Sequence, residues 1–117
     1  MDIKRLIRSF RFAFRGLSIA FKGEQNLRIF FIIAAINVIL AIILKLNLTE
    51  WAIGIITTIV VISIEIINTS LEELLDMISP EYNGRTKVIK DMLASAALGA
   101  SICAFIIALI VYLPHLL

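Results

Sequence analysis

Three long apolar blocks constrain the fold of this chain more than any other feature. The first block, residues 29–44, is interrupted only by Asn37. The second, residues 51–64, holds no charged residue, and residues 91–117, which contain the third, have no lysine or arginine. A membrane-spanning helix needs about 20 mostly apolar residues, and 61% of this chain is hydrophobic, where ~45–50% is usual in soluble domains. The blocks therefore predict an all-α integral membrane protein with three transmembrane helices.

The chain, residues 1–117, is short enough to form a single membrane domain. Because the first long apolar run begins only at Ile29, we expect an uncleaved span rather than a secretory signal peptide. We predict an N-terminal interfacial helix over residues 1–23. The predicted transmembrane helices, with their cytoplasmic extensions, cover residues 26–44, 51–78 and 86–113.

The N-terminal segment carries two stripes at helical spacing. The basic stripe consists of Lys4, Arg8, Arg11 and Arg15. The apolar stripe consists of Ile3, Leu6, Ile7, Phe10, Phe14, Leu17 and Phe21. This pattern is typical of an amphipathic helix that lies in the membrane interface.

The distribution of basic residues predicts the orientation in the membrane. Seven of the eleven lysines and arginines precede Ile29, and three more lie within residues 85–90. The remaining loop holds only Lys45. Since short cytoplasmic loops are enriched in lysine and arginine, we expect the N-terminus and residues 72–91 in the cytoplasm and the C-terminus outside.

Glu65 is the one residue that membrane insertion alone does not explain. It lies ~21 Å along the predicted helix from Trp51, where a charge costs at least ~2.5–3.5 kcal/mol. At about 100° per residue, three further polar side chains fall within about 60° of it: Asn68, Glu72 and Asp76. Such a face suits a hard divalent cation such as Mg²⁺. Taken alone, it is equally compatible with an ion pathway, and an inter-helix polar network is a further alternative.

The same residues carry a family resemblance. The run Glu65-Ile-Ile-Asn68-Thr-Ser-Leu-Glu72-Glu-Leu-Leu-Asp76 is followed by Ser-Pro-Glu81-Tyr82-Asn83 and by Lys90-Asp91. This arrangement resembles the prokaryotic diacylglycerol kinase family, which includes the undecaprenol kinases of Gram-positive bacteria. The resemblance covers nearly the whole chain, including the basic amphipathic N-terminal helix, the acidic residue after it and the three spans.

The resemblance implies a lipid kinase of the bacterial inner membrane, the cell membrane. Such an enzyme uses ATP and Mg²⁺ to phosphorylate the primary hydroxyl of a membrane lipid alcohol, undecaprenol or diacylglycerol. It implies a homotrimer with active sites shared between subunits at the cytoplasmic interface. The stretch over residues 79–82 favours the undecaprenol branch. The expected partners are ATP, the lipid alcohol, the bilayer and further copies of the chain, with no nucleic acid.

The resemblance also implies roles for individual residues. Glu65 matches the family's general base, and Glu24 and Glu72 match its metal-binding glutamates. The lipid substrate is assigned to Arg8 and Arg15 of the interfacial helix together with Glu65. Phe12 stands where some members have a tyrosine near the nucleotide. The full nucleotide-binding set is Arg5, Phe12, Glu24, Asn68, Glu72, Glu81, Tyr82, Asn83, Lys90 and Asp91.

The alternative is a small membrane transporter with Glu65 as its proton-coupled site, because intramembrane glutamates do serve that role. Small transporters of this type usually have four spans, however, and the carboxylates here lie toward one face of the membrane. The cytoplasmic cluster of Glu81, Lys90 and Asp91 has no role in transport. A purely structural interaction protein is a third possibility.

Overall fold

The computed structural model of the protein describes residues 2–81 and 83–117. Within them the chain forms four α-helices in series: α1 (Ile3–Gly23), α2 (Gln25–Ile43), α3 (Leu48–Ile78) and α4 (Gly84–Leu116). Of these, α2, α3 and α4 are long and apolar enough to cross a membrane. The prediction of an all-α chain with three helices that can span a bilayer is confirmed.

A single extended residue, Glu24, separates α1 from α2. Arg28 in α2 donates hydrogen bonds from its guanidinium to the carbonyl oxygens of Phe21 (3.1 Å) and Lys22 (2.7 Å). These carbonyls belong to the last turn of α1, where a cation is favourable. The rings of Phe21 and Phe31 meet edge to face at 5.4 Å. These contacts hold the corner that carries Glu24.

The turn between α2 and α3 contains a helix cap, and α3 therefore starts earlier than hydropathy predicts. The Asn47 side chain accepts a hydrogen bond from the Glu50 backbone N–H (2.8 Å), and the Glu50 carboxylate accepts one from the Asn47 N–H (3.0 Å). This reciprocal capping box satisfies two backbone donors. As a result α3 begins at Leu48, three residues before the start at Trp51 that hydropathy predicts.

A second cap starts α4 earlier than predicted. The Asn83 side chain accepts from the Thr86 N–H (2.9 Å), so the helix begins at Gly84 rather than at residue 86. Thr86 is 5% exposed, and its hydroxyl donates to the Ser79 hydroxyl (3.2 Å) across the corner. Pro80, which lacks a backbone N–H, lies in this corner and favours the end of α3.

The helices pack with little burial inside one chain. Among the described residues the buried side chains are Leu27, Ala41, Val61, Glu65 and Thr86. α4 packs mainly against α3, and large apolar side chains on all three long helices remain exposed. Such a surface is expected where the bilayer, or another copy of the chain, replaces water.

Polar contacts also join the helices at the end away from Glu24. The Tyr112 hydroxyl at the end of α4 donates to the Asn37 side-chain oxygen in α2 (3.2 Å). His115 Nε2 lies 2.8 Å from Glu50 Oε2 at the start of α3. α4 is thereby tied to both neighbouring helices at this end.

Candidate active site

Three carboxylates line one cavity of about 350 Å³ between the long helices. Glu24 comes from the corner between α1 and α2, while Glu65 and Glu72 lie seven residues apart on α3. The other lining residues are Asn26, Phe30, Asn68, Thr69, Ala94, Ala97, Leu98 and Ser101. The corner therefore brings Glu24, which is 41 residues from Glu65 in the sequence, to the polar face of α3.

Glu65 is the most buried member of this set. It is 6% exposed, and no other charged side chain within residues 2–81 and 83–117 is buried. Asn26, in the first turn of α2, lines the same cavity and brings an amide donor to the side of this carboxylate. A buried carboxylate requires such a donor, since burial without a partner is costly.

Asn26 is not among the site residues that the sequence predicts. An amide at the end of an apolar span has no helical partner in its own segment, so periodicity gives no reason to select it. The available signal was its position, two residues after Glu24 at the same end of the span. Only the corner between α1 and α2 shows that a residue placed there can reach α3.

Asn68 and Glu72 continue the polar face from Glu65 toward the C-terminal end of α3. Glu72 is half-buried, and the Asn68 side-chain oxygen is buried with no hydrogen-bond partner among the residues that the structure describes. A buried acceptor without a partner is unusual in a folded protein and calls for a donor or a cation. Asn68 lies one turn from each glutamate, so its amide is available between them.

The oxygen donors fit a divalent cation that is shared with a substrate. Among the described residues no group of three or more histidine, cysteine, aspartate or glutamate side chains is arranged to hold a metal ion by itself. Mg²⁺, however, is commonly held by one or two carboxylates together with substrate phosphates. Glu24 and Glu72 supply two carboxylates, and the partnerless Asn68 oxygen adds a third hard donor on the same cavity.

The fourth member of the predicted face, Asp76, does not line the cavity. Asp76 Oδ1 instead lies 2.6 Å from Lys90 Nζ in α4. Asp91 is likewise paired, with Lys87 Nζ 2.8 Å from its Oδ2. Lys90 and Asp91 are thus each engaged in an ion pair near the start of α4, and not with one another.

The remaining predicted nucleotide residues of this corner have different surroundings. Glu81 is exposed, and its backbone oxygen accepts a hydrogen bond from Ser79 (3.0 Å). Asn83 caps α4. Tyr82 lies outside the described residues.

The predicted residues of α1 are not brought to the cavity within one chain. All four are exposed, and none lines it: Arg5, Arg8, Phe12 and Arg15. The cavity lining comes from the corner at Glu24 and from α2, α3 and α4. One copy of the chain therefore assembles the acidic part of the predicted site and leaves the basic part apart from it.

Comparison with known proteins identifies the family. Residues 11–112 match the family model described as prokaryotic diacylglycerol kinase. The chain belongs to this family. The resemblance deduced from the polar face of α3 is confirmed, and the bacterial family fits a location in the inner membrane.

Named relatives of this family member are lipid kinases. A diacylglycerol kinase of Synechocystis is 34% identical over 113 residues, which cover 96% of this chain and 65% of that protein. An undecaprenol kinase of Bacillus subtilis is 28% identical over 115 residues, which cover 98% and 94%. A diacylglycerol kinase of Helicobacter pylori is 34% identical over 104 residues, which cover 88% and 81%. The chain spans slightly less than two thirds of the Synechocystis protein and most of the other two.

Membership in this family supports a lipid kinase, and the cavity is the candidate for its active site. Buried Glu65 shares its cavity with the carboxylates of Glu24 and Glu72. Such a site suits phosphoryl transfer, which depends on positioning and charge neutralisation. The kinase interpretation is therefore favoured over the transporter interpretation of Glu65.

Proposed function

We propose that this protein is an ATP- and Mg²⁺-dependent kinase that phosphorylates the primary hydroxyl of a membrane lipid alcohol. The observation that carries the proposal is the cavity in which buried Glu65 lies with Glu24 and Glu72. The lipid alcohol is undecaprenol or diacylglycerol, the two substrates in the names of the relatives. The reaction takes place at the cytoplasmic interface of the membrane.

Glu65 acts as the general base. A Glu65 carboxylate oxygen takes the proton of the lipid hydroxyl while the hydroxyl oxygen attacks the γ-phosphorus of ATP. The bond between the γ-phosphorus and the bridging oxygen of the β-phosphate breaks, and ADP leaves with that oxygen. Glu65 suits this role because it lies ~10 Å along α3 from Glu72, on the side of the apolar part of the span, where a lipid hydroxyl is available.

Glu24 and Glu72 would hold the metal through their carboxylate oxygens, and Asn68 would accept a hydrogen bond or contribute its amide oxygen. When bound, Mg²⁺ neutralises negative charge on the β- and γ-phosphates. The positive charge on the nucleotide side comes from Lys90 and Arg5. Glu24 is well suited to reach a ligand because its side chain makes no capping hydrogen bond to α2.

The basic helix α1 lies in the membrane interface and faces the lipid head group with Arg8 and Arg15. The active enzyme is a homotrimer in which neighbouring copies complete the site. Two features support this assembly: the cavity lacks the basic residues of its own α1, and the spans expose most of their apolar surface. The N-terminus is cytoplasmic and the C-terminus lies outside, as the clustering of basic residues indicates.

The test measures ADP release by the purified protein in mixed micelles, with and without lipid alcohol. We expect ADP release that requires both the lipid alcohol and Mg²⁺, and a phosphorylated lipid as the product. Undecaprenol and diacylglycerol are offered together, so that the ratio of the two products reports the preferred substrate. ADP release that is independent of lipid, or none with either lipid, would overturn the proposal.

A further inference from the structure

Asn26 in the first turn of α2 and Glu65 in the middle of α3 line the same cavity, which Glu24 and Glu72 share. The Asn26 side chain is also among the groups that act on the charge of the Glu65 carboxylate. A carboxylate can only accept hydrogen bonds, so in a hydrogen bond between the two the Asn26 amide N–H is the donor. We propose that Asn26 is a positioning residue that fixes the orientation of the Glu65 carboxylate for proton transfer. This inference rests on the proposed role of Glu65 as the base.

The backbone around Asn26 is well anchored. Leu27, the next residue, is 1% exposed and is the most deeply buried side chain among the described residues. One residue further, Arg28 is bonded to two carbonyl oxygens at the end of α1. Because both following residues are fixed, the Asn26 amide reaches Glu65 from a backbone that does not have to be ordered for each reaction cycle. Such preorganised orientation of a reacting group is a large contribution to catalysis.

The residue type also suits this position. Glu24 and Glu72 line the same cavity as Glu65, and repulsion between like charges disfavours orientations of the Glu65 carboxylate toward them. A lysine or arginine at position 26 would hold Glu65 but would also stabilise its charged form and weaken it as a base. A neutral amide donor orients the carboxylate with a smaller effect of this kind.

The test compares two substitutions of Asn26 with a control on its neighbour. Asn26→Ala removes the donor and is expected to lower kcat by ~10-fold or more, the effect of losing a hydrogen bond to a charged group. Asn26→Asp keeps the shape and is favourable in the first turn of a helix. It nevertheless removes the donor and adds a repelling carboxylate, so we expect a larger loss of kcat. Gln25→Ala, at an exposed residue that does not line the cavity, should retain wild-type turnover.

The KM values separate positioning from the neighbouring metal site. The KM for Mg·ATP and the Mg²⁺ concentration for half-maximal rate should be unchanged in Asn26→Ala, which adds no charge to the cavity. An increase in the Mg²⁺ requirement with unchanged kcat would assign Asn26 to Glu24 and the metal, and would overturn the inference. Wild-type kcat in Asn26→Asp would overturn it as well, and thermal stability measured on the same samples identifies a variant that fails to fold.

A double-mutant cycle with Glu65→Gln decides whether Asn26 acts through Glu65. Single-turnover rates are measured for Asn26→Asp, Glu65→Gln and the double variant. If Asn26 positions Glu65, the double variant should be no slower than Glu65→Gln alone. Multiplying losses would contradict the inference. Normal turnover in Glu65→Gln would remove the proposed base itself, whereas a loss there combined with normal Asn26 variants would contradict only the positioning role.

Discussion

Lys90 Nζ in α4 lies 2.6 Å from Asp76 Oδ1 in α3, so the lysine proposed to face the phosphates is held by a carboxylate of the neighbouring helix. The Lys90 side chain is 24% exposed and that of Asp76 is 65% exposed. An ion pair of this exposure contributes about 0–1 kcal/mol to stability. Its more important effect is to set where the lysine ammonium lies relative to the cavity.

We therefore predict different effects for the two partners. Lys90→Met removes a cation from the nucleotide side and should raise the KM for ATP by ~10-fold or more, since a hydrogen bond to a charged group contributes ~1.5–3 kcal/mol. Asp76→Asn leaves the lysine in place but loosens it, so the KM should change less. Initial rates over a range of ATP concentrations measure both, with Lys45→Met at the opposite end of the fold as control. A larger effect of Asp76→Asn would mean that Lys90 acts only as the structural partner of Asp76.

The metal ligands are tested by their Mg²⁺ requirement. Glu24→Gln and Glu72→Gln should each raise the Mg²⁺ concentration for half-maximal activity, because each removes a charged oxygen ligand. Glu73→Gln, the adjacent exposed glutamate that does not line the cavity, is the matched control and should behave as wild type. Activity is measured across a Mg²⁺ titration at saturating ATP. The assignment of the polar face is wrong if Glu73→Gln proves the most sensitive of the three.

These residues show how far the sequence alone can lead. The spacing on one helix correctly groups Glu65, Asn68 and Glu72, because the side-chain directions within a helix are fixed by its geometry. The same spacing includes Asp76, which the structure removes from the cavity lining through its pairing with Lys90 on another helix. Periodicity reports which residues share a face and not what packs against that face.

The errors at helix ends have a similar origin. Hydropathy begins α3 at Trp51 because the residues before it are polar or mixed, yet the capping box of Asn47 and Glu50 adds a turn. The cap by Asn83 extends α4 in the same way. In both caps an asparagine stands three residues before the residue whose N–H it accepts from. A hydropathy average over a window of residues does not show this signal. Asn26 could not be identified at all without the corner that places α2 over α3.

The capping box leads to a prediction about the stability of the fold, because the Glu50 carboxylate contacts two partners that can be removed separately. Oε1 accepts from the Asn47 N–H and Oε2 lies 2.8 Å from His115 Nε2. Glu50→Gln keeps the capping interaction and removes only the charge of the pair, so it should lower the unfolding temperature only slightly. Glu50→Ala loses both interactions and should lower the unfolding temperature further. Thermal unfolding of the two variants in detergent gives the comparison, and equal stabilities would contradict a contribution from the cap.

The proposed orientation is tested by labelling single cysteines in intact cells. The background is Cys103→Ser, because Cys103 is the one native cysteine and is exposed. Since Asn47 and Asn83 cap helices, the cysteines are placed beside them, at the exposed positions Thr49 and Glu81. A membrane-impermeant thiol reagent should label Thr49→Cys from outside and leave Glu81→Cys unlabelled until the cells are opened. The reverse labelling pattern would place the cavity on the outer side of the membrane, away from cytoplasmic ATP, and would contradict the proposed orientation.

The last prediction isolates the base. Glu65→Gln keeps the size of the side chain and an oxygen that can accept the hydrogen bond from Asn26, but an amide cannot take the proton of the lipid hydroxyl. Turnover should fall by ~10²–10⁴-fold, the usual contribution of a general base. The affinity for Mg·ATP should stay nearly unchanged, because Glu24 and Glu72 retain their carboxylates.

The stability of the same protein distinguishes catalysis from packing. A charge inside a membrane costs at least ~2.5–3.5 kcal/mol, so Glu65→Gln should unfold at the same temperature as the wild type or higher. Turnover, nucleotide binding and thermal unfolding are measured on one preparation. Lost turnover with intact binding and stability supports proton transfer by Glu65. A large drop in unfolding temperature would instead mean that the buried carboxylate, with Asn26, holds α2 against α3, and near-normal turnover would exclude Glu65 as the base.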